Sequence, residues 1–332
     1  MRRTATLLCI VAALAAPAAR TQDRSPIVPT DPAVQAKLLA AVVTVNVHAV
    51  ANARSNAELG RERTGTGIVV DQRGLVATSV FLVQEADSII VTTADGRSVP
   101  AVTDTADHST GVAILRPAAA LGVTPMPLGV SAAATVAEPV LVISAAGPKE
   151  INLARVVAKR DFAASWEYLV DGAIFTAPPV KPWAGAALVD GAGRLIGIGS
   201  LLLDEQADRS ERAAPSNLFV PVDLYRAALE QLARGEKPPR RPWLGLMTER
   251  VGEHLVVVDV PPESPASRAG IRAGDAIVAV NGDRVATHAA LYRTLWRQQP
   301  DRAIRLTIER ESRSHDILVQ PVDARDGLIQ RA

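Results

Sequence analysis

The three side-chain types that together cleave acyl bonds, a carboxylate, an imidazole and a hydroxyl, stand side by side at Asp107-His108-Ser109. Acyl transfer by a hydroxyl needs the imidazole to take its proton and the carboxylate to orient the imidazole, with nucleophile and base meeting one carbonyl. Neighbours on one strand or loop cannot converge in that way, so this tripeptide reads as a solvated turn. Lys181 carries an amine of the kind that can serve as base for a serine, but no serine stands near it and it reads as a surface lysine. The five histidines are scattered, which gives no metal-ligand spacing. His48, inside an apolar run, reads as a core or strand-edge residue. No cofactor and no metal is expected.

Those side chains must be positioned by a chain of 332 residues, long enough for two or three domains. It opens like an export signal. Arg2 and Arg3 form a positive start, Ala5 to Leu14 an apolar run, and Ala16-Pro17-Ala18 a small-residue cleavage site. Removal of that segment would take away Cys9, the only cysteine, and leave 34 basic against 35 acidic residues. The near-neutral balance and the lack of a basic run argue against nucleic acid as a partner. No later stretch is apolar for long enough to span a bilayer, so a periplasmic or secreted protein is expected.

Past a polar lead-in from Gln22 to Thr30, Leu38 to Val50 reads as a short helix entering a first strand. Gly65 to Asp71 and Gly74 to Thr78 are β-rich runs joined by a short polar turn, a hairpin. A second hairpin joins Ser88-Thr93 to Val99-Val102 across Asp95-Gly96, a pair able to reach positive φ. Further short β-rich runs at Pro139-Ser144, Ile174-Ala177 and Leu188-Ile198 suggest an all-β barrel pair. Asp204 to Ser216 reads as a charged surface loop. A helix follows Pro221, with Asp223 as N-cap, Leu224, Ala228, Leu229 and Leu232 on one apolar face, and Gly235 at its end. The proline-bearing stretch 236-242 is a stiff boundary.

These segments resemble the HtrA/DegP-like family, trypsin-like serine proteases with a C-terminal PDZ domain. Gly65-Thr66-Gly67-Ile68-Val69-Val70-Asp71 and the run through Thr78 match the family's first hairpin and place Phe81 at the catalytic histidine. Asp107 to Leu115 matches the family's Asp-x-x-Thr-Asp-Leu-Ala-Val-Leu, with Gly111 at the triad aspartate. Around Thr176 to Asp190 the Leu188-Val189 end aligns Ala184 with the serine and Pro182 with the glycine two residues earlier. That glycine's N-H is half of the family's oxyanion hole, and proline has none to give. Beyond the boundary, Trp243-Leu244-Gly245-Leu246 resembles the carboxylate-binding loop of HtrA-type PDZ domains, and Ser264 to Gly282 carries a PDZ signature. Thr287 is the expected cap of the helix running to about Gln298.

The resemblance implies a mostly β chain: a trypsin-like double β-barrel followed by an α+β PDZ domain. Its divisions are a signal and cleavage region at 1-22, a protease-fold domain at 23-235, the linker at 236-242, the PDZ domain at 243-323 and a tail at 324-332. It further implies a degenerate triad, Phe81, Gly111 and Ala184, with a lost oxyanion position at Pro182, hence no peptide hydrolysis. Loss of nucleophile or base alone lowers turnover by roughly 10^6. Phe81 and Trp183 are expected either to fill the former site as a dry plug or, for Trp183, to anchor a partner. The PDZ domain is expected to bind C-terminal peptides or unfolded envelope proteins, with Trp243, Leu244, Gly245 and Leu246 at the carboxylate. Leu291 and Leu295 either line the pocket for the last side chain or face the PDZ core, and His288 either contacts a ligand hydroxyl or is exposed. The expected role is an envelope adaptor, as a homotrimer or with an active HtrA-type protease. The alternative is a serine-type endopeptidase of envelope quality control with a non-standard site.

Overall fold

The computed structural model describes residues 31-203 and 214-324. The export signal with Cys9, most of the Asp204-Ser216 stretch and the tail beyond Ala324 lie outside the described residues. Two closed six-stranded barrels come first. Barrel one is built from β1 (Val42–Ala49), β2 (Glu62–Val69), β3 (Val76–Ser79), β4 (Ala86–Thr92), β5 (Ser98–Asp107) and β6 (Val112–Pro117). Barrel two is built from β7 (Pro139–Ser144), β8 (Glu150–Ala164), β9 (Tyr168–Ala177), β10 (Ala187–Val189), β11 (Leu195–Leu203) and β12 (Ser216–Pro221). The order around barrel one is β1-β2-β3-β6-β5-β4, and barrel two, β7-β8-β9-β12-β11-β10 when read in the same sense, repeats it.

Period-two alternation sends successive side chains of one strand to different cores. Val43, Val45 and Val47 fill barrel one, while Val42 faces a separate cluster between the barrels. In barrel two, Val140 and Val142 point inward and Leu141 and Ile143 join the inter-barrel cluster. That cluster also holds Ile68, Ile114, Tyr168, Val170, Phe175 and Tyr225, and it is the floor of the crevice.

Short helices α1 (Pro32–Ala41), α2 (Asn56–Leu59) and α3 (Val80–Val83) belong to barrel one. Asp31 caps α1 through the Ala33 N–H, Pro32 pre-sets its first turn, and Lys149 Nζ binds the Leu39 and Val42 carbonyls at its end. The hairpin turn expected at Asp95-Gly96 forms, with Gly96 alone of the pair at positive φ, +85°. A longer loop, closed by Thr93 N to Arg97 O, makes the second positive φ unnecessary.

Helix α4 (Val222–Ala233) closes the protease-fold half, buries Val222 and Tyr225 and lays Leu224, Ala228, Leu229 and Leu232 on the inter-barrel cluster. Its N-cap is Pro221, not Asp223. Asp223 sits in the first turn, takes the Ala132 N–H and gives its own to Ser131 Oγ. Gly235, φ +69°, ends the helix as expected.

The C-terminal unit pairs β13 (Pro242–Trp243) with the last strand and folds β14 (Met247–Val251), β15 (His254–Asp259), β16 (Ala276–Val280), β17 (Asp283–Arg284), β18 (Ile304–Arg310) and β19 (Arg313–Val319) into one sheet, with β20 (Val322–Asp323) closing the pair with β13. Helices α5 (Pro265–Arg268) and α6 (His288–Trp296) cover its core of Leu244, Leu255, Val280, Leu306 and Ile308. Thr287 caps α6 through the Ala290 N–H, as expected, though the helix stops at Trp296. The sheet order is β14-β15-β16-β18-β19, which leaves β14 with an unpaired edge.

Candidate functional site: an inter-barrel crevice and a sheet-edge groove

The crevice is lined by loops from both barrels. Phe81 stands on α3, directly after β3, and Val80 N–H bonds the Gly111 carbonyl at 2.9 Å, so the structure brings positions 81 and 111 together. Gly111 closes the turn from β5 to β6 at φ +85°, its N–H on the Asp107 carbonyl. The ring above both is Tyr168 of β9. Its centroid lies 5.5 Å from that of Phe81, and a methyl placed on Gly111 would lie 2.6 Å from its hydroxyl and 3.1 Å from Val220. Tyr168 is fully buried, and its hydroxyl shares a 2.7 Å hydrogen bond with Ser200 Oγ. No side chain at 111 fits without displacing it.

Ala184 belongs to the segment 183-186, which is wedged between the barrels. Its carbonyl takes the Thr66 N–H from barrel one, and Gly185 N–H bonds Gly199 O of barrel two, at 2.9 and 2.8 Å. Gly65 separates Ala184 from Leu82, the neighbour of Phe81. Gly185, φ +75°, admits no Cβ, since one would meet Thr66 O at 1.9 Å. Pro182 precedes this wedge and lacks an N–H. Trp183 is partly buried, donates its N–H to Lys181 O, and makes no ring contact with Phe81 among the described residues. The expected plug of Phe81 with Trp183 does not form: Phe81 is only partly buried, and the ring packed on it is Tyr168. Sequence reading missed Tyr168, Ser200 and Tyr225 because no local pattern marks which strand residue reaches the crevice.

The remaining titratable groups form no unorthodox pair among the described residues. Asp107 takes the Ser109 N–H and pairs with Arg241 at 3.2 Å. Burial, opposed by Asp107 and Glu85, holds the His108 pKa below its usual value, and no hydrogen bond joins His108 to Ser109. Burial pushes the Tyr168 and Tyr225 phenols upward, and Tyr225 donates to the Thr78 carbonyl, so neither is a base at neutral pH. His48 pairs with Glu62, and His288 bonds the Thr248 carbonyl. Among the described residues no histidine nitrogen shares a hydrogen bond with a serine or threonine hydroxyl. Lys181 is exposed.

In the C-terminal unit, the Trp243 ring packs on Gly245, where φ is +68° and a methyl would lie 2.6 Å from the indole. Leu244 and Leu246 are buried. Leu291 and Leu295, the expected pocket residues, are 0% and 1% exposed and belong to the core, so of the two readings the structure gives the core. His288 is neither exposed nor open to a ligand hydroxyl, since its Nε2 lies 2.8 Å from the Thr248 carbonyl. The outer face of α6 docks on barrel two. Tyr292 donates to Ala164 O and accepts the Glu167 N–H, while Arg293 pairs with Asp161 and Asp171. Arg241, on Asp107, also stacks over Trp296 at 4.4 Å.

No helix among the described residues is long and apolar enough to cross a membrane. Residues 65–198 match the family model of the trypsin-like peptidase domain, and residues 242–320 that of the PDZ domain. The chain is 26% identical over 286 residues to serine endoprotease DegS of Haemophilus influenzae, covering 82% of each. It is 27% identical over 281 residues to a probable periplasmic serine endoprotease, DegP-like, of Halomonas elongata, covering 80% of this chain and 58% of that protein. Among solved structures it superposes on the HtrA-type protease AlgW with decapeptide at a TM-score of 0.59, with 19% identity and 87% and 97% coverage. The chain is thus a mostly β protein in which a trypsin-like peptidase domain is followed by a PDZ domain, in a fold similar to that of HtrA-type proteases.

Proposed function

We propose that this chain is a non-catalytic HtrA-like protein, a pseudoprotease that acts in the cell envelope as an adaptor for C-terminal peptides or unfolded proteins through its PDZ domain. The observation that carries the reading is Tyr168. The space a side chain on Gly111 would need is held by a buried phenol bonded to Ser200, so position 111 is packed as interior with no room for a triad carboxylate. Phe81, Gly111 and Ala184 offer no group that holds or moves a proton, and Pro182 offers no N–H for an oxyanion. Without those parts the fold alone does not supply the chemistry.

The alternative is a serine endopeptidase with a non-standard site, and the names of the relatives, serine endoproteases, favour it. The lack of an imidazole–hydroxyl pair among the described residues favours the proposal. An export-like N-terminus and the relative named as periplasmic support an envelope location. Co-assembly as a homotrimer, or with an active relative, is the route by which such an adaptor would act on hydrolysis. The purified chain, incubated with casein and with a fluorophosphonate probe, is expected to cleave nothing and take no label. Labelling of a serine that survives purification to homogeneity refutes the proposal in favour of the alternative.

A further inference from the structure

An extended peptide joins a sheet by bonding the free edge of a strand, here β14, while its terminal side chain enters a pocket beneath. Thr248 is the second residue of that strand, and its carbonyl faces away from β15 toward α6, where it accepts the Nε2–H of His288 at 2.8 Å. A carbonyl has no hydrogen to give, so Nε2 must be the protonated nitrogen. No open pocket lies beneath that edge: Leu246 and Thr248 are 4% and 0% exposed, and the Leu291 and Leu295 side chains are taken up by the core at 0% and 1%. The Thr248 hydroxyl is buried without a hydrogen-bond partner. His288 is held in place from behind, its ring 6.0 Å from that of Tyr292, whose hydroxyl is anchored on Ala164 and Glu167 of barrel two.

We propose that His288 is a latch on the PDZ groove: bonded across it to the Thr248 carbonyl, it occupies the acceptor that the N–H of an incoming peptide strand requires and keeps the resting groove closed. The ligand is an extended peptide with a free C-terminal carboxylate and an apolar last side chain. It binds only after His288 has left Thr248, so part of its binding free energy goes into opening the latch. The inference rests on the peptide-binding reading proposed above.

The test is a titration of the full chain with fluorescein-labelled random nonapeptides ending in leucine, valine or phenylalanine, followed by anisotropy, beside the same peptides amidated at the C-terminus. A hydrogen bond of this kind is worth roughly 0.5–1.5 kcal/mol net, so His288→Ala is expected to bind about 2- to 10-fold more tightly than the unaltered chain. His288→Gln, which keeps a side-chain N–H donor, is expected to stay closer to the unaltered chain, and amidation is expected to weaken binding to all three. Carboxylate-dependent binding by the unaltered chain that His288→Ala leaves unchanged or weakens overturns the latch and leaves the peptide-binding reading intact. Absence of carboxylate-dependent binding in every variant overturns both.

Discussion

Replacing Gly111 by alanine should destabilise the protease-fold half by about 2–5 kcal/mol, far more than such a change does at an open turn. Gly111 sits at φ +85°, and an L-residue in that region costs roughly 1–2 kcal/mol. The new methyl would also lie 2.6 Å from the Tyr168 hydroxyl, 3.2 Å from its ring and 3.1 Å from Val220. Tyr168 and Val220 are fully buried, so neither can move aside without disturbing the inter-barrel cluster, and over-packing of that kind adds about 1–3 kcal/mol. The total is a large part of a typical domain stability of roughly 5–15 kcal/mol. Urea unfolding followed by tryptophan fluorescence measures it, and a double-mutant cycle with Tyr168→Phe assigns the cause. With the hydroxyl gone the closest contact goes too, so Gly111→Ala should cost at least about 1 kcal/mol less in that background. The same geometry predicts that Phe81→His, Gly111→Asp and Ala184→Ser together restore no hydrolysis of casein. A cost below about 1 kcal/mol, strict additivity in the cycle, or an active triple variant would refute the reasoning.

Three further outcomes follow from single contacts. Asp275 is 1% exposed and takes two hydrogen bonds from Arg310 and one from the Arg272 N–H, so Arg310→Ala should destabilise the PDZ domain by about 3 kcal/mol, measured by thermal unfolding. Burial keeps the His108 pKa below its usual value in the folded chain, so the unfolded chain takes up the proton first. Stability from this group is therefore present above about pH 6.5 and falls as the pH drops toward the folded pKa, and His108→Gln should flatten that slope in a pH series of unfolding curves. Arg241→Ala removes both the Asp107 ion pair and the stack on Trp296, and faster trypsin cleavage between residues 235 and 242 is the expected readout of a loosened PDZ domain; an unchanged rate would mean that Tyr292 and Arg293 suffice to hold it.

Much of the architecture is legible from short-range chemistry. β-rich runs between turn residues mark the strands, Gly235 ends α4, Thr287 caps α6, and the PDZ signature from Ser264 to Gly282 stands where the sheet and α5 form. Asp223 was misread as a cap because an acidic residue near a helix start looks the same in sequence whether it precedes the first turn or sits within it; the extended backbone at Pro221 decides which. The candidate positions Phe81, Gly111 and Ala184 came from alignment with a family, residue by residue. What surrounds them did not.

Tyr168 meets Gly111 and Phe81 only because barrel two folds its β9 strand against a loop of barrel one, and His288 meets Thr248 only because the start of α6 is brought beside β14. Leu291 and Leu295 show the limit plainly: their spacing fixed a shared helix face, but whether that face met a ligand or the core depended on how closely the sheet packed beneath it. Turn chemistry and side-chain periodicity act over a few residues and can be read from the sequence alone. Which ring fills a crevice and which carbonyl a histidine finds are set by contacts between distant segments, and those exist only after the chain has packed.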